Sequence, residues 1–119
     1  MRLIHWSVAA ICLAPALAFA QIGAASYDLS TTVTTTASAC APQANFRKAM
    51  SLHNPASQTT IWYCIAQAGQ SCTPAPNASG SYELAPGAFL FWPAGSAPVN
   101  MLYCISPNGP TPLSGYYTQ

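Results

Sequence analysis

The chain has 119 residues, and five carry a full charge: Arg2, Asp28, Arg47, Lys48 and Glu83. At 4 % charged and 51 % apolar, it falls far below the roughly 25 % charge usual in a soluble domain. Clustered Lys and Arg are needed to grip a phosphate backbone, so nucleic acid is excluded as a partner. Plentiful apolar and aromatic residues at near-zero net charge also exclude an ordinary disordered chain.

Met1-Arg2 opens the chain with a positive charge, and Leu3 to Ala18 is mostly apolar. Ala18-Phe19-Ala20 then sets small residues at the minus-three and minus-one positions before Gln21. This is the layout of a secretory signal peptide over residues 1–20. Pro15 and the A-x-A exit favour cleavage over a retained membrane anchor, so no stable anchor is expected afterwards. Cys12 is read as a passenger of the apolar segment. Residues 21–119 are expected to form one exported domain, periplasmic, extracellular or associated with a surface or virion.

Six or seven short strands are predicted in that domain. Tyr27 to Thr36 contains a β-branched run suited to a pleated strand. Ala41 to Asn45 reads as a loop. Phe46 to His53 alternates, with Phe46, Met50 and Leu52 on one face and Arg47, Ala49, Ser51 and His53 on the other. Lys48 interrupts the apolar face near the start of that strand. Asn54 to Gln58 is a turn, and Thr59 to Ala66 is the next strand. A polar loop from Gly69 to Gly80 carries the glycosylation sequon Asn77-Ala78-Ser79. Ser81 to Leu84 is a short strand ended by the Pro86-Gly87 turn. Ala88 to Trp92, Val99 to Ile105 and Thr111 to Thr118 supply the remainder. Eleven prolines and the lack of clean helical periodicity exclude long helices. The expected fold is all-β: a small antiparallel β-sandwich or open barrel, stapled by disulfides.

Outside the leader, four cysteines remain: Cys40, Cys64, Cys72 and Cys104. Small exported domains often recover stability through disulfides. Cys64 and Cys72 enclose a short polar loop, so the favoured pairing is Cys64–Cys72 with Cys40–Cys104, among the three connectivities the count permits. A zinc or redox site lacks the required C-x-x-C spacing, and His53 is the sole histidine after the leader. The tripeptides Tyr63-Cys64-Ile65 and Tyr103-Cys104-Ile105 are read as two strands meeting the core in a similar way.

The stretch Arg47-Lys48-Ala49-Met50-Ser51-Leu52-His53-Asn54 is followed by Ile61-Trp62-Tyr63, by Tyr82-Glu83-Leu84-Ala85-Pro86-Gly87, and by Ala97-Pro98-Val99 up to Tyr103. Over residues 46–106 this resembles small β-sandwich modules of phage-encoded virion proteins and related bacterial proteins. There an Arg-led strand ends in Asn and a Leu-x-Pro-Gly turn precedes the next pair of strands. The resemblance implies a sandwich with a display or packing role and brings no catalytic site. The chain departs from it in its export signal and its four cysteines.

Chemistry-bearing residues are few. A Ser-His-Asp triad would need His53, Asp28 and a serine, without a G-x-S-x-G elbow. A carboxylate pair would need Asp28 and Glu83 to meet. No phosphate loop, dinucleotide fingerprint or HExxH string occurs. No catalytic, cofactor or metal site is therefore assigned. Arg47 and Lys48 are read as gatekeeper charges on a solvated strand edge, with Glu83 pairing across strands to one of them. Phe89, Phe91 and Tyr63 are expected to fill the core, with the tryptophans closing its ends. The rival reading is a stacking platform, with Trp62 and Trp92 as the ligand-stacking residues beside Tyr82, Tyr116 and Tyr117. The neutral composition favours association. The expected function is thus an exported, non-enzymatic structural or interaction module with a protein partner or self-association, and the alternative is a glycan- or surface-binding module.

Overall fold

The computed structural model describes residues 25–119. The signal-peptide reading of residues 1–20 falls outside them. The described residues form nine strands and no helix. In chain order these are β1 (Ser26–Asp28), β2 (Thr31–Val33), β3 (Ser38–Ala41), β4 (Ala49–His53), β5 (Ile61–Ile65), β6 (Tyr82–Leu84), β7 (Phe89–Trp92), β8 (Leu102–Ile105) and β9 (Thr111–Thr118).

They make two antiparallel sheets. One has the order β1-β9-β4-β7, with β2 also on β9; the other runs β3-β8-β5-β6. The sheets face each other without closing into a barrel, and all pairing is antiparallel. Inward residues alternate as a pleated strand requires. Met50 and Leu52 come from β4, Ile61 and Tyr63 from β5, Leu84 from β6, Leu102 and Cys104 from β8, and Leu113 and Tyr117 from β9. Across the interior, the Trp92 ring meets Tyr63 edge-on at 6.1 Å.

The predicted Tyr27–Thr36 strand divides in two. Asp28 turns its carboxylate back to accept the Ser30 N–H at 2.8 Å. This local bond competes with the ladder and breaks the strand. Thr34 to Thr36 leave the sheet, bonding through the Thr34 hydroxyl instead. β3 lies mostly where no element is predicted, and only its Ala41 falls in the expected Ala41–Asn45 loop. Its register against β8 shifts between Ala39 and Ala41, a bulge centred on Cys40.

The disulfides are Cys40–Cys104 and Cys64–Cys72, with Cα separations of 5.7 and 6.3 Å. The pairing matches the favoured one. The repeated tripeptides do not meet the core alike, however. β5 and β8 are antiparallel neighbours that set Tyr63 opposite Cys104 and Cys64 opposite Tyr103. Tyr63 and Cys104 therefore face inward while Cys64 and Tyr103 share the outer face. The Cys40–Cys104 bridge is internal, and the Cys64–Cys72 bridge folds the following loop onto the outside.

Candidate interaction surface

The outer face of the five-stranded sheet is built by β7, β4 and β9. Directly opposed residues in a sheet share a face. One row therefore runs Phe91, Ser51, Tyr116, Asp28, and the next runs Phe89, His53, Ser114. Phe89 is 64 % exposed, Phe91 50 % and Tyr116 43 %. Ser51 between them is buried. Ser51 and His53 of β4 thus form the floor, with two phenylalanines on one flank and a tyrosine on the other.

This overturns the expectation that Phe89 and Phe91 fill the core. The run from Ala88 to Trp92 is apolar at every position and contains no alternation to read. Its facing is decided by register instead. Trp92 opposes Met50 and Leu90 opposes Leu52, and the inward phase of β4 carries Leu90 and Trp92 in with it. Tyr63 is buried as expected, and both partly buried β7 residues pack against the core.

The two tryptophans do not share a surface. Trp92 points between the sheets, against Tyr63. Trp62 lies on the outer face of the other sheet, between Glu83 and Ile105, and is partly exposed. Tyr82 stacks on Tyr63 with ring centroids 5.3 Å apart. Tyr117 is buried, stacked on Tyr27 at 4.8 Å.

His53 lies within the aromatic face. Its Nδ1 is 3.4 Å from Ser114 Oγ, and its ring is tilted 54° to Phe89 with centroids 6.2 Å apart. Asp28 is two strand spacings and two residues away, about 12 Å along the sheet. Its carboxylate is turned to Ser30. The Ser114–His53 contact therefore has no acid behind it to orient the ring, as a triad requires. Asp28 and Glu83 stand in different sheets, so no carboxylate pair forms. Among the described residues, no group of three His, Cys, Asp or Glu side chains could hold a metal ion.

Arg47 is not a gatekeeper. It is 5 % exposed, and its guanidinium donates to the carbonyls of Pro42 and Pro98 while lying 4.7 Å from the Tyr117 ring centroid. Desolvation pushes its pKa down. Glu83, on β6 opposite Trp62, is exposed and is not its partner. Phe46 is 79 % exposed and lies outside the strand, so it does not join Met50 and Leu52. Burying Arg47 against two carbonyls turns the chain before β4 and leaves its neighbours Phe46 and Lys48 outside.

Asn54 is the residue whose role sequence reasoning missed. It is fully buried; its amide donates to Thr59 O at 2.8 Å and Leu84 O at 3.0 Å, and its side-chain oxygen accepts from Ala56 N–H. An Asn closing an alternating run just before Pro is a turn signal, and nothing in it distinguishes a buried hub. Asn54 also accepts the Gly87 N–H at 2.9 Å on its main-chain oxygen, with Gly87 at φ +72°. That left-handed turn, natural for glycine, launches β7 beside β4.

One shallow concavity is lined by Gln67, Gln70, Ser71 and Thr73 beside the Cys64–Cys72 bridge, and another by Asp28, Ser30, Thr31 and Pro42. Comparison of the chain with protein families, curated proteins and solved structures finds no match.

Proposed function

We propose that this chain is an exported, non-enzymatic structural or interaction module that associates through the outer face of its five-stranded sheet. The observation that carries the reading is the set Phe89, Phe91 and Tyr116, all exposed on the two flanks of Ser51 and His53. Such a set removed from water on association gives a hydrophobic driving force. The two disulfides suit an oxidising compartment outside the cytosol. A cell-envelope or virion-associated setting accords with the resemblance of residues 46–106.

Light scattering on the exported protein at rising concentration tests the reading. Assembly into a defined oligomer is expected, and a strictly monomeric, highly soluble protein at millimolar concentration argues against it. The glycan-binding alternative rests on Trp62, the tryptophan on an outer face. Loss of glycan-array binding in Trp62→Ala with the fold intact would promote that alternative, and absence of binding in the parent protein would remove it.

A further inference from the structure

β7 is an edge strand, paired on one side to β4 and on the other to no described strand. Its free side can be worked out from ladder parity. Leu29 N–H donates to Gly115 O, so Gly115 turns its main-chain groups toward the β1–β2 side of β9. Neighbouring residues in an antiparallel ladder alternate in direction. Ser114, Tyr116 and Thr118 therefore face β4, and Met50, Leu52 and Asn54 face β7. The Asn54 N–H donation to Ala88 O at 3.0 Å agrees. Leu90 and Trp92 are thus bonded to β4, and Phe89 and Phe91 direct their N–H and C=O groups to the open edge.

The other three edges carry devices that discourage pairing. β3 is bulged at Cys40. β6 is three residues long and holds Glu83. The β1–β2 edge breaks at Leu29-Ser30 and holds Asp28. β7 has four consecutive residues in unbroken register, no bulge and no charge. Indeed no charged residue occurs from Leu84 to Gln119, so two copies can approach here without like-charge repulsion.

The edge is also complementary to itself in one register. With Leu90 on a two-fold axis, Phe89 opposes the second copy's Phe91, and the two strands can exchange four main-chain hydrogen bonds. A shift of one residue sets an outward phenylalanine against an inward Leu90. A shift of two sets Phe89 against Pro93, which has no N–H, or Phe91 against Gly87, whose N–H is given to Asn54. We propose that β7 pairs antiparallel with β7 of a second copy about an axis at Leu90, joining the two five-stranded sheets into one. The pairing takes from the reading above only that the chain self-associates; it runs along the edge of that sheet rather than across its face, and it sets Phe89 and Phe91 of each copy opposite Phe91 and Phe89 of the other.

Sedimentation and oxidative trapping of the exported protein test it. Phe91→Lys places a charge on the edge and is expected to weaken dimerisation at least tenfold. Phe46→Lys, at an exposed position ahead of β4 and outside the β7 edge, is expected to leave it unchanged. Leu90→Cys is expected to give a covalent dimer on mild oxidation, because the opposed Cα atoms of a non-hydrogen-bonded pair lie within disulfide reach. Phe89→Cys, offset across the axis, is not. A dimer that survives Phe91→Lys overturns β7 pairing but leaves self-association standing. Cross-linking through Phe89→Cys in place of Leu90→Cys overturns this register. A monomer at every concentration overturns both the pairing and self-association.

Discussion

Two side chains at the ends of β4 hold the sheets together by donating to main-chain carbonyls. Arg47, before the strand, joins Pro42 at the end of β3 to Pro98 in the β7–β8 connection and lies over Tyr117. Asn54, after it, joins Thr59 ahead of β5 and Leu84 on β6. Both side chains are themselves buried, so the cost of removal exceeds that of a surface hydrogen bond. Arg47→Ala is expected to lower stability by about 3 kcal/mol, since two main-chain carbonyls lose a charged donor. Arg47→Lys should recover less than half of that loss, because one ammonium cannot span both carbonyls and lie flat on the ring. Asn54→Asp should be worse than Asn54→Ala: it keeps the shape, loses both N–H donors and brings a buried charge toward two carbonyl oxygens. Urea unfolding midpoints at unchanged slope measure each effect. Equal stability of Asn54→Asp and the parent protein would contradict the hub.

Strands whose apolar pattern alternates are legible in sequence; strands that take their place from a partner are not. The cores of β4 and β5 carry alternating residues, and they appear where that pattern puts them. β3 is Ser-Ala-Cys-Ala, small residues with little strand preference, and it is held by β8 and by the bridge to Cys104. β7 shows the same limit at the candidate surface: its apolar run predicts a strand, but its facing is inherited from Met50 and Leu52. Arg47 was illegible because a buried cation and a gatekeeper have the same letter. The phase of β4 yields a direct comparison. Met50→Ala opens a cavity in the core and should cost about 2–5 kcal/mol, whereas Phe46→Ser, at an exposed position of the same predicted face, should change stability by about 0.5 kcal/mol or less. Equal losses would restore Phe46 to the interior.

At the scale of the molecule, scarce charge shapes the response to pH. Ser30, through its side chain and its N–H, holds the exposed Asp28 carboxyl below the ordinary carboxylate range. The folded state therefore binds this proton more weakly than the unfolded chain. The resulting stabilisation is present above the unfolded Asp value and is lost as pH falls through the acid range. At the other end, burial raises the Tyr63 phenol, and the neighbouring Tyr82 adds to the shift. The unfolded phenol ionises at about pH 10, while the folded one still holds its proton, so linkage makes stability decline as pH rises beyond that point. Denaturant midpoints measured across pH should fall on the alkaline side, and Tyr63→Phe should remove part of that fall while leaving the acid limb in place. An alkaline limb identical in Tyr63→Phe and the parent protein would assign the decline to another group. The acid limb has its own control, because Asp28→Asn should flatten it without altering the response above pH 10.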